Sequence, residues 1–377
     1  MMSKILSDCF SVDSEGPDAR DLLQFTSRLL SLGYTEYLSS FSLEQYRPDL
    51  WLHYSYCSFG DLRLLIDFFL LNKSVHSSEL DLRLGDCWKV LTRLDLVERD
   101  GDWVKMRGLV LIFYSGFFIF VDVPHCDPKV YFGDDSIGIF SRLAPLPGDS
   151  VLDLCAGSGI QGMKSVLQAR RGTLVEIDPF ARRILGINVL MNGLAERVEI
   201  LGGSLFENIS QGQRFDLVTA NPPLVPFPDT VNYPFVGHGG IDGFAVTRKI
   251  IEGLGVFLSD RGRSQIIGLT LSDGLTLMID EELRNLAHDA ELDIRITLIN
   301  HIPMSPSSAY FRGLVATASA VSKDSQEVIA TVFGDELAKY DMSHLTSYYL
   351  LITRGSGSLR YQNLTRAKIP CLWTIRE

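Results

Sequence analysis

The stretch that decides the fold is Val151-Leu152-Asp153-Leu154-Cys155-Ala156-Gly157-Ser158-Gly159. A short apolar strand carries a carboxylate near its end and gives way to a glycine-rich turn, and residues 160–169 then show helical spacing. Glycines in the turn allow the backbone to approach a ligand closely, because glycine has no Cβ and adopts positive φ at little cost. Strand, glycine turn and helix in this order predict the opening of a nucleoside-binding α/β domain.

Two classes of cofactor fit this glycine turn. Residues 157–162 match the pattern G-x-G-x-x-G of dinucleotide sites, so a nicotinamide cofactor competes with S-adenosylmethionine (SAM). The next strand ends in Glu176, which could bind the ribose hydroxyls of either cofactor. Asp153 favours SAM, since a carboxylate before the turn suits an amino group and a sulfonium and would repel a pyrophosphate.

A third feature lies at Asn221-Pro222-Pro223-Leu224, which follows the apolar strand 215–220. It therefore falls at the carboxyl edge of the predicted sheet, where folds of this type bind ligands. Four motifs in order along the chain now resemble class I SAM-dependent methyltransferases: 153–159, 176–179, Asn188 with 191–193, and 221–224.

The resemblance is closest to the amino-methyltransferase branch with an Asn-Pro-Pro-aromatic motif, which includes the glutamine methyltransferases of release factors and several RNA base enzymes. Residues 239–243, with Arg248 and Ile251 downstream, resemble the segment that follows this motif in the release-factor enzymes. The resemblance covers roughly residues 130–300 and implies an α/β, Rossmann-like seven-stranded mixed sheet. It also implies SAM as the cofactor and nitrogen as the methylated atom.

The Asn-Pro-Pro loop has a chemical role in this interpretation. The Asn221 side-chain oxygen and the Pro222 carbonyl would accept hydrogen bonds from the acceptor nitrogen and localise its lone pair, while Pro223 fixes the loop. Leu224 stands where the branch has Tyr or Phe, and it allows an aliphatic amine or another less planar acceptor. Ser204 stands where the family commonly has Asp, and we expect it to hold adenine together with Leu205.

The motifs and the resemblance predict two sets of site residues and no metal ligand. The acceptor loop comprises Asn221, Pro222, Pro223 and Leu224. Phe132 and Ser136 are included among the cofactor contacts because, in related enzymes, a segment at this place packs over the cofactor. The predicted cofactor contacts are Asp153, Cys155, Ala156, Gly157, Ser158, Gly159, Glu176, Ile177, Ser204, Leu205, Asn221, Phe132 and Ser136.

Composition limits the partners and the compartment. The chain of 377 residues has a formal net charge of −11, so a nucleic acid is a less expected acceptor than a protein or a small molecule. The six cysteines, at positions 9, 57, 87, 126, 155 and 371, form no C-x-x-C pair and predict neither a metal site nor a disulfide framework. Residues 1–10 lack the apolar run of a signal peptide, and we expect a cytoplasmic protein without a membrane span.

The predicted organisation has three parts. Residues 1–107 form a mostly helical accessory domain, 108–130 a β-hairpin and linker, and 131–377 the SAM-binding domain. The order helix, short helix, helix and hairpin over residues 59–107 is typical of a winged helix. Residues 86–93 mix both charges with apolar side chains, which favours substrate presentation or a possible homodimer over DNA binding.

Three alternative functions remain open at this point. One is an enzyme that transfers another part of SAM or closes a ring within it, since Leu224 departs from the methyltransferase motif. Another is the nicotinamide oxidoreductase suggested by G-x-G-x-x-G. The third is a non-catalytic module that senses SAM or binds DNA.

Overall fold

The computed structural model describes residues 16–41, 45–366, 369–370, 372–373 and 375–376. The predictions for residues 1–10, Cys9 and Cys371 therefore lie outside the described residues. Among the residues described, no helix combines the length and apolar character needed to cross a membrane.

Helices dominate the first part of the chain because apolar residues recur there every three or four positions. In the first helix this spacing buries Leu22, Phe25 and Leu29 on one side. A π-helical turn, Ile66–Leu70, continues the fourth helix, and two 3₁₀ turns lie at Ser55–Cys57 and Gly85–Trp88. The α-helices are α1 (Pro17–Ser31), α2 (Tyr34–Ser39), α3 (Pro48–Tyr54), α4 (Gly60–Leu65), α5 (Ser77–Leu84) and α6 (Lys89–Arg93).

Five short strands accompany these helices. β1 (Val75–His76), β2 (Val97–Asp100) and β3 (Trp103–Met106) form an antiparallel sheet in the order β1-β3-β2. β4 (Leu109–Tyr114) and β5 (Phe117–Asp122) form the predicted hairpin. Ser115 and Gly116 adopt φ of 49° and 95° at its turn, as a tight hairpin connection requires.

Alternating strands and helices follow, in the order expected of a parallel sheet with helices packed on its faces. The strands are β6 (Ser150–Leu154), β7 (Arg171–Glu176), β8 (Val198–Gly202), β9 (Phe215–Ala220), β10 (Leu258–Ser272), β11 (Leu292–Pro303), β12 (His344–Arg354), β13 (Leu359–Asn363), β14 (Ile369–Pro370) and β15 (Ile375–Arg376). The helices are α7 (Asp134–Arg142), α8 (Ile160–Val166), α9 (Pro179–Met191), α10 (Ala245–Phe257), α11 (Asp280–Asp289), α12 (Ala309–Val321) and α13 (Gln326–Lys339), with a 3₁₀ turn at Ala195–Arg197.

The large sheet has eight strands in the order β13-β11-β12-β10-β9-β6-β7-β8. Only β12 is antiparallel to its neighbours, β10 and β11. The predicted number of seven strands was therefore wrong by one, because β13 pairs in parallel with β11 at the edge. Residues 360–363 of β13 are exposed and polar, so they lack the apolar pattern by which a strand is recognised in a sequence.

One hydrophobic cluster joins the N-terminal helices to the sheet. It contains Phe25, Phe69 and Trp88 together with hairpin residues such as Ile119 and α9 residues such as Ile187, all of them buried. The hairpin therefore has apolar neighbours both earlier and later in the chain. The division of the chain at residue 107 consequently separates segments that share a continuous core.

Two asparagines on α9 connect this helix to the hairpin edge. Asn188 accepts from the Phe120 N–H at 2.8 Å and donates to the Phe120 carbonyl at 3.1 Å. Asn192, one turn later, makes the same pair of bonds with Phe118, at 3.0 and 2.7 Å. The Asn188 amide also donates to the Ser158 carbonyl at 2.9 Å. These amides thereby supply the hydrogen bonds that a neighbouring strand would otherwise give to β5.

We expect Asn188→Ala to lower the unfolding free energy by about 2–4 kcal/mol, because it leaves buried backbone groups of Phe120 and Ser158 unpaired. Denaturant-induced unfolding followed by circular dichroism measures the change. Asn363→Ala, at an exposed position of β13, is the matched control and should shift the midpoint little. Equal midpoints for the two variants would contradict the structural role of Asn188.

Candidate active site

A cavity of about 320 Å³ opens at the carboxyl ends of β6, β7 and β9. The sheet brings these ends together because the three strands are parallel neighbours. Twelve of the predicted site residues line the cavity: Ser136, Cys155, Ala156, Gly157, Ser158, Glu176, Ile177, Ser204, Leu205, Asn221, Pro222 and Pro223. The four others, Asp153, Gly159, Phe132 and Leu224, lie outside its lining.

The glycine turn requires residues that tolerate left-handed backbone. Gly157 and Gly159 have φ of 52° and 83°, and Cys155 before them has φ of 58°. A Cβ on Gly159 would lie 2.2 Å from Leu185 Cδ1, so this glycine allows the turn to pack against α9. Gly157 thus lines the cavity, while Gly159 packs against α9 outside the lining.

Glu176 supports the turn from the end of β7. One of its carboxylate oxygens accepts from the Gly157 N–H at 2.8 Å and the other from the Asp178 N–H at 2.9 Å. Burial raises the pKa of Glu176, and the backbone donors oppose that rise. The carboxylate keeps lone pairs for a further donor, since each oxygen can accept more than one hydrogen bond.

Asp153 lies beneath the turn and is 1% exposed. One carboxylate oxygen accepts from the Gly162 N–H at 2.8 Å, and the other has no hydrogen-bond partner among the described residues. Burial raises its pKa to about 8, with a smaller contribution from Glu176 in the same direction. The side chain therefore holds the start of α8 and leaves one acceptor atom unsatisfied.

Asn221 lies at the inner wall of the cavity. Its amide nitrogen donates to Asp135 at 3.0 Å and to the Ser136 hydroxyl at 3.5 Å. Its side-chain oxygen is buried without a hydrogen-bond partner among the described residues. Because the amide nitrogen is engaged, the oxygen is oriented away from Asp135 and keeps its acceptor capacity unused.

The remaining predicted residues differ in their placement. Leu205, at φ of 51°, and Ser204 line the cavity beyond the end of β8. Leu224 is 5% exposed and packs in a cluster with residues such as Ile267. Leu224 and Phe132 line a second cavity, described below, instead of the first.

Several residues that sequence reasoning missed also line the first cavity, among them Tyr131, Asp135 and Lys249. Asp135 is the most informative, because it binds the Asn221 amide and its other oxygen has no well-oriented hydrogen bond within the described structure. Burial raises its pKa, against the lowering effect of Asn221 and the nearby Tyr131 hydroxyl. Residues 124–129, within the segment 108–130 predicted as hairpin and linker, are mostly exposed, yet Asp127 and Lys129 border the cavity.

The second cavity, of about 540 Å³, adjoins the first. Pro128, Tyr131, Asp135 and Val236 line both cavities. Six aromatic residues contribute to the second one: Tyr46, Tyr131, Phe132, Tyr233, Tyr310 and Trp373. Within the described part of the chain, no group of three His, Cys, Asp or Glu residues could hold a metal ion.

Curated proteins similar to this chain are glutamine methyltransferases. The ribosomal protein uL3 glutamine methyltransferase of Francisella tularensis is 33% identical over 123 residues, which are 30% of this chain and 39% of that protein. The corresponding protein of Bradyrhizobium diazoefficiens is 29% identical, over 43% of this chain and 56% of its own. The release factor glutamine methyltransferase of Rhodopirellula baltica is 28% identical, over 49% of this chain and 62% of that protein.

These matches confirm the resemblance to amino-methyltransferases drawn from the four motifs, although the chain spans less than two thirds of each relative's length. No model of a known protein family matches the chain. Among solved structures, a putative transferase from Pyrococcus horikoshii is 12% identical with a TM-score of 0.42, covering 82% of this chain and all of that one. The tRNA m1G37 methyltransferase of M. jannaschii is 15% identical with a TM-score of 0.39, and the match covers 67% of this chain and 58% of that one.

The buried state of Asp153 predicts a pH-dependent stability difference in the ligand-free protein. Its folded-state pKa, about 8, lies above its ordinary value of 3.8, so its stabilising contribution is present at acidic pH and lost as pH rises through about 8. Asp153→Asn keeps an acceptor for the Gly162 N–H and does not titrate. The variant should therefore gain more than about 1 kcal/mol over wild type between about pH 5 and pH 9. Parallel stability profiles, from denaturant unfolding at each pH, would contradict this assignment.

Proposed function

We propose that the protein is a SAM-dependent methyltransferase that methylates a nitrogen of a protein side chain. The observation that carries the proposal is the buried, unpartnered oxygen of Asn221 at the wall of the first cavity. The uL3 and release factor glutamine methyltransferases to which the chain is similar act on protein acceptors, which supports a protein over a small metabolite. The formal net charge of −11 supports a protein acceptor over a nucleic acid, because phosphate groups would be repelled.

The residues of the first cavity fit SAM. When bound, SAM supplies a methyl group activated by a sulfonium. We propose that Glu176 accepts hydrogen bonds from the ribose hydroxyls, that the turn from Cys155 to Ser158 contacts the amino-acid part, and that Ser204 and Leu205 contact the adenine. Asp153, directly below the turn, favours a positively charged ligand through its field, since its unsatisfied oxygen would be stabilised by positive charge.

The Asn221 oxygen and the Pro222 carbonyl would orient the acceptor nitrogen by accepting its N–H hydrogen bonds. These acceptors localise the nitrogen lone pair and stabilise positive charge as it develops there. Asp135 fixes the Asn221 amide, so the oxygen is held in place before the acceptor arrives. Pro223 restricts the backbone that carries these groups.

We further propose the domain boundaries 1–107, 108–130 and 131–377, with a winged-helix-like arrangement in the first part. The order of α4, β1, α5, α6, β2 and β3 and the antiparallel sheet β1-β3-β2 support this proposal. A role in presenting the acceptor or in forming a homodimer is consistent with the mixed charge of residues 86–93. We propose the cytoplasm as its compartment.

Asn221→Ala should reduce methyl transfer by about 100-fold or more, because one of two groups that orient the nitrogen is lost. Mass spectrometry of a cell extract incubated with the purified protein and SAM would show a +14 Da product with wild type and at most a trace with Asn221→Ala. Asn363→Ala, on the exposed edge strand, is the control and should retain activity. SAM consumption without any methylated product would overturn methyl transfer in favour of ring closure or another transfer.

Glu176→Gln should weaken SAM binding by about tenfold, because a neutral amide replaces a carboxylate that accepts charge-assisted hydrogen bonds. Isothermal titration calorimetry measures the affinity. SAM should also raise the thermal unfolding temperature of wild type, whereas a nicotinamide dinucleotide should not. The reverse pattern would favour the oxidoreductase.

A further inference from the structure

The second cavity adjoins the first, and the chemistry of its lining indicates what it binds. Tyr131 and Asp135 form a wall common to both cavities, and Asp135 directly contacts the Asn221 amide. A ligand in the second cavity can therefore contact Asp135, the residue that binds the Asn221 amide.

The lining of the second cavity carries negative charge only. Asp122, Asp134 and Asp135 contribute three carboxylates, and the described lining includes one histidine but neither lysine nor arginine. Six aromatic side chains accompany these carboxylates. Carboxylates attract cations through their charge, and aromatic faces attract them through the ring quadrupole. The combination disfavours phosphate groups and anionic metabolites.

The three carboxylates differ in how far the protein already satisfies them. Asp122 accepts from the Lys129 and Val130 N–H groups at 2.5 and 2.9 Å. Asp134 accepts from the Tyr46 N–H at 2.7 Å. Asp135 uses one oxygen for Asn221, and its other oxygen is buried without a well-oriented partner in the described structure. Asp135 is the only one of the three carboxylates that lines both cavities and binds Asn221, so it is the one placed to meet an acceptor nitrogen.

We propose that the second cavity binds the methyl acceptor as a cationic amine, with the ammonium nitrogen beside Asp135 and Asn221. This inference rests on the proposed function and specifies its substrate class as an amine instead of an amide. Leu224 agrees with it, because this residue lines the second cavity and its aliphatic side chain cannot stack on a planar amide.

An ammonium group has no lone pair, so it must lose a proton before it is methylated. Asp135 accepts this proton from one N–H. The freed lone pair forms the new nitrogen–carbon bond, while the electron pair of the broken carbon–sulfur bond remains on sulfur and neutralises the sulfonium. Burial, which raises the pKa of Asp135, makes its carboxylate a stronger base than an exposed aspartate.

Two probes of similar shape test the charge preference. Phenethylammonium and uncharged 2-phenylethanol are titrated at pH 7 into the full chain saturated with S-adenosylhomocysteine, so that the first cavity is filled. We expect the cation to bind about tenfold or more tightly. Equal affinities, a preference for the alcohol, or no detectable binding of the cation would each overturn the proposal.

Three variants locate the binding. Leu314→Lys places a positive charge in the second cavity and should reduce phenethylammonium affinity by about tenfold or more, as should Asp135→Asn. Ala316→Lys adds the same charge at an exposed position of the same helix and should leave the affinity unchanged. Retained affinity for S-adenosylhomocysteine shows that each variant is folded. Equal effects of the two lysine variants would contradict binding in this cavity.

The extract experiment distinguishes failure of this inference from failure of the proposed function. Asn221-dependent methylation mapped to lysine or to an α-amino group supports both. Mapping to glutamine upholds the methyltransferase and overturns the amine acceptor. No methylated product overturns the function itself.

Discussion

The arrangement of the site depends on the buried side-chain amide of Asn188. This amide hydrogen-bonds to both backbone groups of Phe120 and to the Ser158 carbonyl, so one side chain joins the hairpin, α9 and the glycine turn. Each bond satisfies a backbone group that has lost contact with water, and its absence would carry the full cost of desolvation. The glycine turn that lines the ligand cavity and the apolar hairpin consequently share one contact, which fixes the turn relative to the hairpin.

Carboxylates hold the same turn from two strands. Asp153 of β6 and Glu176 of β7 accept the N–H groups of Gly162 and Gly157, respectively. The turn and the start of α8 are therefore ordered by carboxyl groups that can become negatively charged when a cationic ligand binds. Such preorganisation reduces the conformational entropy that binding must overcome. Burying the two carboxyl groups has an electrostatic cost, which raises the pKa of both side chains. A cationic ligand would offset this cost by stabilising their charged forms.

Local patterns predicted those parts of the fold in which neighbouring residues decide the structure, such as the glycine turn, the apolar strands and the hairpin at Ser115-Gly116. They missed β13, whose exposed residues 360–363 carry no apolar signal, because backbone pairing with β11 alone defines it. Likewise, Asp135 lies 86 residues before its partner Asn221, and only the fold brings the two together. Leu224 packs in an apolar cluster and lines the second cavity instead of the first, a division between two cavities that the motif alone could not predict.

The hairpin β4–β5 is synthesised before one of the helices that it packs against, which affects how it folds during translation. Phe120 precedes Asn188 by 68 residues, so the hairpin leaves the exit tunnel well before the helix that satisfies its edge. Until then its buried apolar residues and unpaired backbone remain open to other chains. The N-terminal helices, already synthesised, cover part of this surface. They are therefore the first partners available to the apolar residues of the hairpin during synthesis.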